Sequence, residues 1–300
     1  MLTPREIIAK SWAITTTEPA LKRWGFFGSF FEILLDIKLI IYQIYFLESY
    51  LNGGSAGLFD IEIYLYHAIP PLTFWTLIGL FLLLVIVELF VPSLSGGAII
   101  GLSAKAHNKE PRTGGLVLAL YNFFPILEFH GLFIFSSIPI LITAISIVLR
   151  YGSGLQSVMV PVIIVVWVIS NILKFFSSFT EPGIVVGKLG VFQAGAKSIK
   201  LIVSYLPHVI FLALLLAVIS LRIFANMLII TLIPAIMIGG GVLLTYFLSP
   251  AISYTIAGLI GLTLTVVAAY FFAYLHIFKQ AVWTIMYMEL IQEKEMDKIG

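Results

Sequence analysis

Long apolar stretches follow one another along almost the whole chain: about Trp24–Leu47, Pro71–Phe90, Gly131–Leu149, Ser157–Leu173, Leu201–Leu221, Met227–Phe247 and Ala251–Ile277. Each is close to the roughly 20 residues that a helix needs to cross the hydrocarbon core of a bilayer. Composition agrees: 60% of the residues are apolar and 11% are charged, whereas a soluble domain carries about 25% charged residues. There is too little polar material to clothe a water-facing surface, so the outside of the protein must face lipid. The fold class is an all-α integral membrane protein.

The formal charge of +2 is too small to point to nucleic acid as a partner. Cysteine is absent, which removes disulfides, thiolate nucleophiles and cysteine metal sites. Near the N-terminus Arg5, Glu6, Lys10 and Glu18 interrupt any apolar core, unlike a cleavable signal peptide. Thr3-Pro4-Arg5-Glu6 is a helix start with a Thr cap, a Pro at the first position and a Glu three residues after the cap. It predicts a short amphipathic interfacial helix, ended by Pro19, within a cytoplasmic segment 1–23.

Basic residues flanking membrane spans stay on the cytoplasmic side. Arg5, Lys10, Lys22 and Arg23 precede the first span, Lys105, Lys109 and Arg112 follow the second, and Lys174, Lys188, Lys197 and Lys200 occupy a second long connector. Lys279, Lys294 and Lys298 close the chain, while the loop 48–70 carries Glu48, Asp60 and Glu62 and no lysine or arginine. Both termini and both connectors are therefore expected inside, which requires an even number of crossings. About six fit, with the helical bundle over 24–291, a cytoplasmic tail over 292–300, and Leu201–Phe247 as one broken element. In that element either the first half lies shallow, or one long helix ends at Gly239–Gly241. A kink is expected at Pro92.

A three-fold repeat of helix pairs is a further expectation, each unit being an amphipathic segment, a proline and two crossings. Pro19 and Gly25 share one offset with Pro125 and Gly131, and Pro207 opens a third copy. Three tracts also carry a resemblance: Lys10-Ser11-Trp12 followed by Arg23-Trp24-Gly25-Phe26-Phe27, then Gly96-Gly97-Ala98-Ile99-Ile100-Gly101, then Gln280-Ala281-Val282-Trp283-Thr284-Ile285-Met286-Tyr287. Together they resemble the multi-pass membrane domain associated with some glycerophosphoryl diester phosphodiesterases, which has stand-alone bacterial and archaeal relatives. The resemblance implies six helices with cytoplasmic termini. It implies no phosphodiesterase activity, because that chemistry belongs to a separate soluble domain. The stretch between Arg222 and Phe247 is longer than the family pattern.

Charges inside apolar stretches need an explanation, since one near mid-membrane costs about 2.5–3.5 kcal/mol on insertion scales. Glu32 and Asp36 share a helix face, and Lys38 lies nearby on another. With Arg222 they form a candidate intramembrane charge cluster. Three readings stay open: an ion or proton path, structural pairing of Glu32 or Asp36 with Arg222 or Lys38, and a shallow entry that leaves Glu32 at the interface. Glu88 fits snorkelling or local pairing. Gly97 and Gly101 form a small-residue step for close helix packing, within the chain in preference to between copies. Trp12, Trp24, Trp75 and Trp283 read as interfacial anchors.

Catalytic motifs are weak. Gly53-Gly54-Ser55-Ala56-Gly57 has the G-x-S-x-G pattern with Asp60 and His67 downstream, but in a loop where glycines simply turn the chain. Gly183–Leu189 is one residue short of a phosphate loop and lacks its Ser or Thr. His67, His107, His130, His208 and His276 have no metal-ligand spacing, and no cofactor is implied. Three function classes follow. First is a non-catalytic interaction or scaffold module of the cytoplasmic membrane, whose partners are the bilayer, anionic headgroups or a soluble cytoplasmic protein, with homo-oligomers allowed. Second is a transporter or lipid-handling protein using Glu32, Asp36 and Arg222. An intramembrane enzyme ranks last.

Overall fold

The computed structural model describes residues 2–53, 57, 59–111, 113–152 and 154–296; the side chains of 61, 220, 222–231, 234 and 295–296 fall outside that description. All regular structure among the described residues is helical. Helix α1 (Pro4–Thr17) is followed by α2 (Pro19–Leu51), α3 (Asp60–Ala68), α4 (Pro71–His107) and α5 (Gly115–Leu132). A 3-10 turn at Ile134–Ser136 leads to α6 (Ile138–Tyr151) and α7 (Gln156–Phe176). The chain closes with α8 (Thr180–Val185), α9 (Val191–Ser204), α10 (Leu206–Thr245) and α11 (Pro250–Met296).

The helix ends follow from local chemistry. At α1 the Thr3 hydroxyl accepts from Glu6 N and the Glu6 carboxylate accepts from Thr3 N at 2.7 Å, a complete capping box. Those bonds to Thr3 hold the Glu6 carboxyl below its ordinary value. Prolines open α2, α4 and α11 at their first positions, where no amide donor is needed. Residues 19–23 thus belong to α2. Gly114, in the left-handed region at φ 79°, turns the chain into α5.

The packing divides the molecule into two unlike halves. At one end Ile7 and Ile14 of α1, Leu21 of α2, Leu102 of α4, Phe179, Leu201 of α9, and Trp283, Tyr287 and Leu290 of α11 form a buried core. Leu2 N donates to Glu289 of α11 at 2.9 Å, tying the segment before α1 to α11. In the other half α4 exposes Leu72, Trp75, Leu80 and Leu83, and α7 buries no residue at all. An apolar surface of this extent is what lipid contact requires. By length and apolarity α4, α5, α7 and α11 can each cross a membrane, and α9 with the first part of α10, bent by 98° at their junction, makes a fifth.

Several elements differ from the sequence expectation. Gly131–Leu149 is not one helix: it breaks at Phe133–Ser137, where Pro139 enters α6 and removes an amide donor. The first connector is largely α5, which runs back along α4 because Gly97 and Gly101 let it approach. A Cβ on Gly101 would lie 2.8 Å from Leu118, and one on Gly97 3.2 Å from Ile126. Both glycines therefore sit against α5 of the same chain. The second connector holds α8 and most of α9. Residues 201–204 finish α9, the bend falls at Tyr205 just before Pro207, and α10 then continues unbroken through Gly239–Gly241. Pro92 lies inside α4, which continues past it through the small residues to His107. Pro125 sits within α5 whereas Pro19 opens α2, and Gly131 faces open space whereas Gly25 is pressed against Ile277. Trp283 is 8% exposed and meets Phe179 edge to face, so it belongs to the core and not to an interfacial belt.

Candidate functional site

Where the packed end gives way to the apolar half, six helices bring polar side chains together. The last turn of α5 supplies His130 and the first turn of α8 supplies Glu181, their Nε2 and Oε1 atoms 2.6 Å apart. From α11, Gln280 donates its amide to the other Glu181 oxygen at 2.8 Å. Ser93 of α4 meets His130 Nδ1 at 3.1 Å. Glu32 of α2, His276 and Lys279 of α11 and Lys174 of α7 stand around this chain of bonds, all within electrostatic reach of one another or of Glu181.

Glu181 is the anchor, with only 12% of its side chain exposed. Burial pushes its carboxyl upward, but the His130 hydrogen bond and charge, then the Gln280 amide, outweigh burial and hold it at about 2. An ionised carboxylate can sit here because both oxygens are hydrogen-bonded.

Glu32 and Lys279 have no such neighbours. Both are exposed, and among the described residues neither has a hydrogen-bond or ion-pair partner. Lys174 Nζ donates to Ser136 Oγ at 3.0 Å and retains further donors. With Glu181 satisfied by His130 and Gln280, the open groups among the described residues are two lysines, one carboxylate and the buried Nε2 of His276. The lysines can bind an anion, with Glu32 left to accept from a hydroxyl or ammonium group.

Ser93, His130 and Glu181 reproduce the order serine, imidazole, carboxylate. Ser93 is only 1% exposed within a continuous helix, so no substrate carbonyl reaches its oxygen in this arrangement. What the three residues do is lock α4, α5 and α8 together. Ser55, the other serine candidate, falls outside the described residues, and Asp60 accepts from Gly57 N at 2.6 Å.

The four charges grouped from the sequence separate. Glu32 joins the site above, and Asp36, one turn further along α2, is half-buried and feels the Glu32 charge. Lys38 instead forms an ion pair with Glu88 of α4 at 2.5 Å, its side chain 19% exposed and that of Glu88 fully buried. The Arg222 side chain lies outside the described residues. Sequence reasoning missed His130, Lys174, Glu181, His276, Lys279 and Gln280 as a set, because they span some 150 positions of chain. One signal was available: His276, Lys279 and Gln280 fall three and four residues apart, a polar stripe on an otherwise apolar helix. No group of metal-binding side chains occurs among the described residues. Comparison of the chain with family models, curated proteins and solved structures finds no match.

Proposed function

We propose that this protein is a polytopic membrane protein that binds a charged small molecule or lipid headgroup at the polar cluster around Glu32 and Lys279, as a transporter or lipid-handling protein. One observation carries the reading: two oppositely charged side chains stand exposed and, among the described residues, without a hydrogen-bond or ion-pair partner beside a satisfied His130–Glu181–Gln280 network. Charges left open inside a membrane bundle are costly and are retained where they meet a ligand or ion. The test is a thermal-shift measurement on detergent-purified protein with inorganic phosphate, glycerol phosphate and acetate. At least one anion stabilises the wild type and not Lys279→Gln; no Lys279-dependent shift with any of them would sink the reading.

Six crossings, α2, α4, α6, α7, α10 and α11, accompany this proposal, with α1, α8, α9 and both termini at the cytoplasmic face; α5, though long and apolar enough to cross, is read here as a cytoplasmic-side helix lying against α4. The lysines and arginines that flank the spans in residues 5–23, 105–112 and 174–200 support that orientation. The order of elements supports the three-fold unit: α1 precedes the packed pair α2 and α4, α5 precedes α6 and α7, and α9 precedes α10 and α11. Kinship with the phosphodiesterase-associated membrane domain remains a proposal resting on the three short tracts that resemble it. A scaffold role is the second reading. It is favoured by α9, which exposes Phe192, Ile199 and Val203 on a helix also carrying Lys197 and Lys200, a surface suited to anionic headgroups or a soluble partner.

A further inference from the structure

Where the first turn of α2 meets α11, a cation and two phenols gather on the outside of the molecule. The Lys22 ammonium stands 5.4 Å from the ring centre of Tyr274. Four residues earlier on α11, Tyr270 packs edge to face on Tyr274 with ring centres 5.3 Å apart, and the two hydroxyls lie 3.1 Å from each other. Tyr270 is 53% exposed, and Tyr274 and Lys22 are half-buried, so all three reach the surface. One turn further along α11, Phe278 carries the exposed indole of Trp12. Trp, Tyr and Lys grouped in this way are what a membrane protein presents at the level of the headgroups. In the opposite direction, away from the packed end, Phe271 and Val267 continue the same stripe of α11, three and seven residues before Tyr274, and both are exposed. The polar atoms of the patch are open. Lys22 forms no ion pair among the described residues, and two hydroxyls that share one hydrogen bond leave one O–H free to donate.

We propose that this patch holds an anionic phospholipid of the adjoining leaflet, with its phosphate on the Lys22 ammonium and the free phenol O–H and an acyl chain along Tyr270, Phe271 and Val267. Charge complementarity decides the occupant. A cation without an ion-pair partner favours a net negative headgroup over a zwitterion, whose own ammonium already neutralises its phosphate. A second copy of this chain, meeting the patch by two-fold symmetry, would set one Lys22 against the other. The site is distinct from the Glu32–Lys279 cluster: Lys279 lies five residues beyond Tyr274, on another side of α11. Its failure would leave the proposed function standing.

The experiment compares retention of phosphatidylglycerol and phosphatidylcholine by the full chain in neutral detergent, using native mass spectrometry. Phosphatidylglycerol is expected to be held about five-fold more tightly. Lys22→Gln removes that preference, whereas Lys279→Gln leaves it in place. Tyr270→Phe combined with Tyr274→Phe, which keeps both rings and deletes both hydroxyls, weakens phosphatidylglycerol about three-fold. Because these side chains reach the surface, each variant keeps the thermal midpoint of the wild type in the absence of lipid. Equal retention of the two lipids by the wild type overturns the proposal, as does a preference that survives Lys22→Gln or that Lys279→Gln abolishes instead. Displacement of bound phosphatidylglycerol by an equal concentration of glycerol phosphate overturns it too, since the site would then take a free anion and not a lipid.

Discussion

Glu181 shows how one side chain sets the character of a site. Its carboxyl is held at about 2, against an ordinary value of 4.5, by His130 and Gln280. A carboxyl depressed in the folded state contributes stability that is complete above its unfolded value and disappears as pH falls through the folded one. Replacing Glu181 by Gln is expected to cost roughly 1–3 kcal/mol near neutrality, because the His130 bond loses its charged acceptor. The difference in thermal midpoint between wild type and variant should then close as pH falls from 4.5 toward about 2. A difference that stays constant over that window would mean Glu181 is not ionised in the folded protein. Lys38 and Glu88 make the complementary case. Lys38→Met leaves a fully buried carboxylate without its cation and should cost about 3–5 kcal/mol, whereas the double change Lys38→Met with Glu88→Leu should recover most of it. Denaturant titration of the three variants decides this. A double variant no more stable than the single one would mean the pair contributes more than its mutual neutralisation.

Between elements, distance is set by the smallest residues. Gly25 and Gly28 on α2 lie where a Cβ would come within 2.5 Å of Ile277 and 2.6 Å of Ser95. Ser95 hydrogen-bonds the Trp24 carbonyl across the same contact, tying α4 to α2. Gly101 does the equivalent for α4 and α5. Gly101→Val is expected to destabilise the protein by about 1–3 kcal/mol through overpacking, and Leu118→Ala in the same chain to restore part of it by emptying the contested space. Thermal unfolding in detergent measures both. Additive losses in the pair would show that Gly101 and Leu118 do not share that contact. Because α5 carries His130, a shift of α5 also loosens the bonds to Ser93 and Glu181, so helix packing and the polar site are coupled.

At the scale of the whole molecule, the packed end holds α1, the last described turns of α11 and both connectors, and the other half is apolar surface. The absence of cysteine makes the orientation directly testable. Single cysteines at Asn52, in the loop 48–70, and at Lys109, in the first connector, are expected to react with a membrane-impermeant thiol reagent from opposite sides of sealed membranes. Labelling of both from the same side would overturn the even-span arrangement. Leu2 and Glu289, joined by a hydrogen bond, should share the compartment of Lys109.

Helical class, lipid-facing surface, the capping box of α1 and the small-residue step at Gly97 and Gly101 were legible in the amino-acid order, because each depends on neighbours within a few turns. The breaks at Phe133–Ser137 and Tyr205 were only half legible: Pro139 and Pro207 are visible, but whether a proline bends, opens or sits inside a helix depends on what packs beside it, as Pro92 and Pro125 show. The site was the least legible part. Lys38 chose Glu88 over the carboxylates of its own helix, and His130 met Glu181 and Gln280 across 150 positions of sequence. Hydrophobic patterning is a local property that linear order carries, whereas the pairing of charges depends on which helices come to lie side by side, and that only the tertiary structure decided.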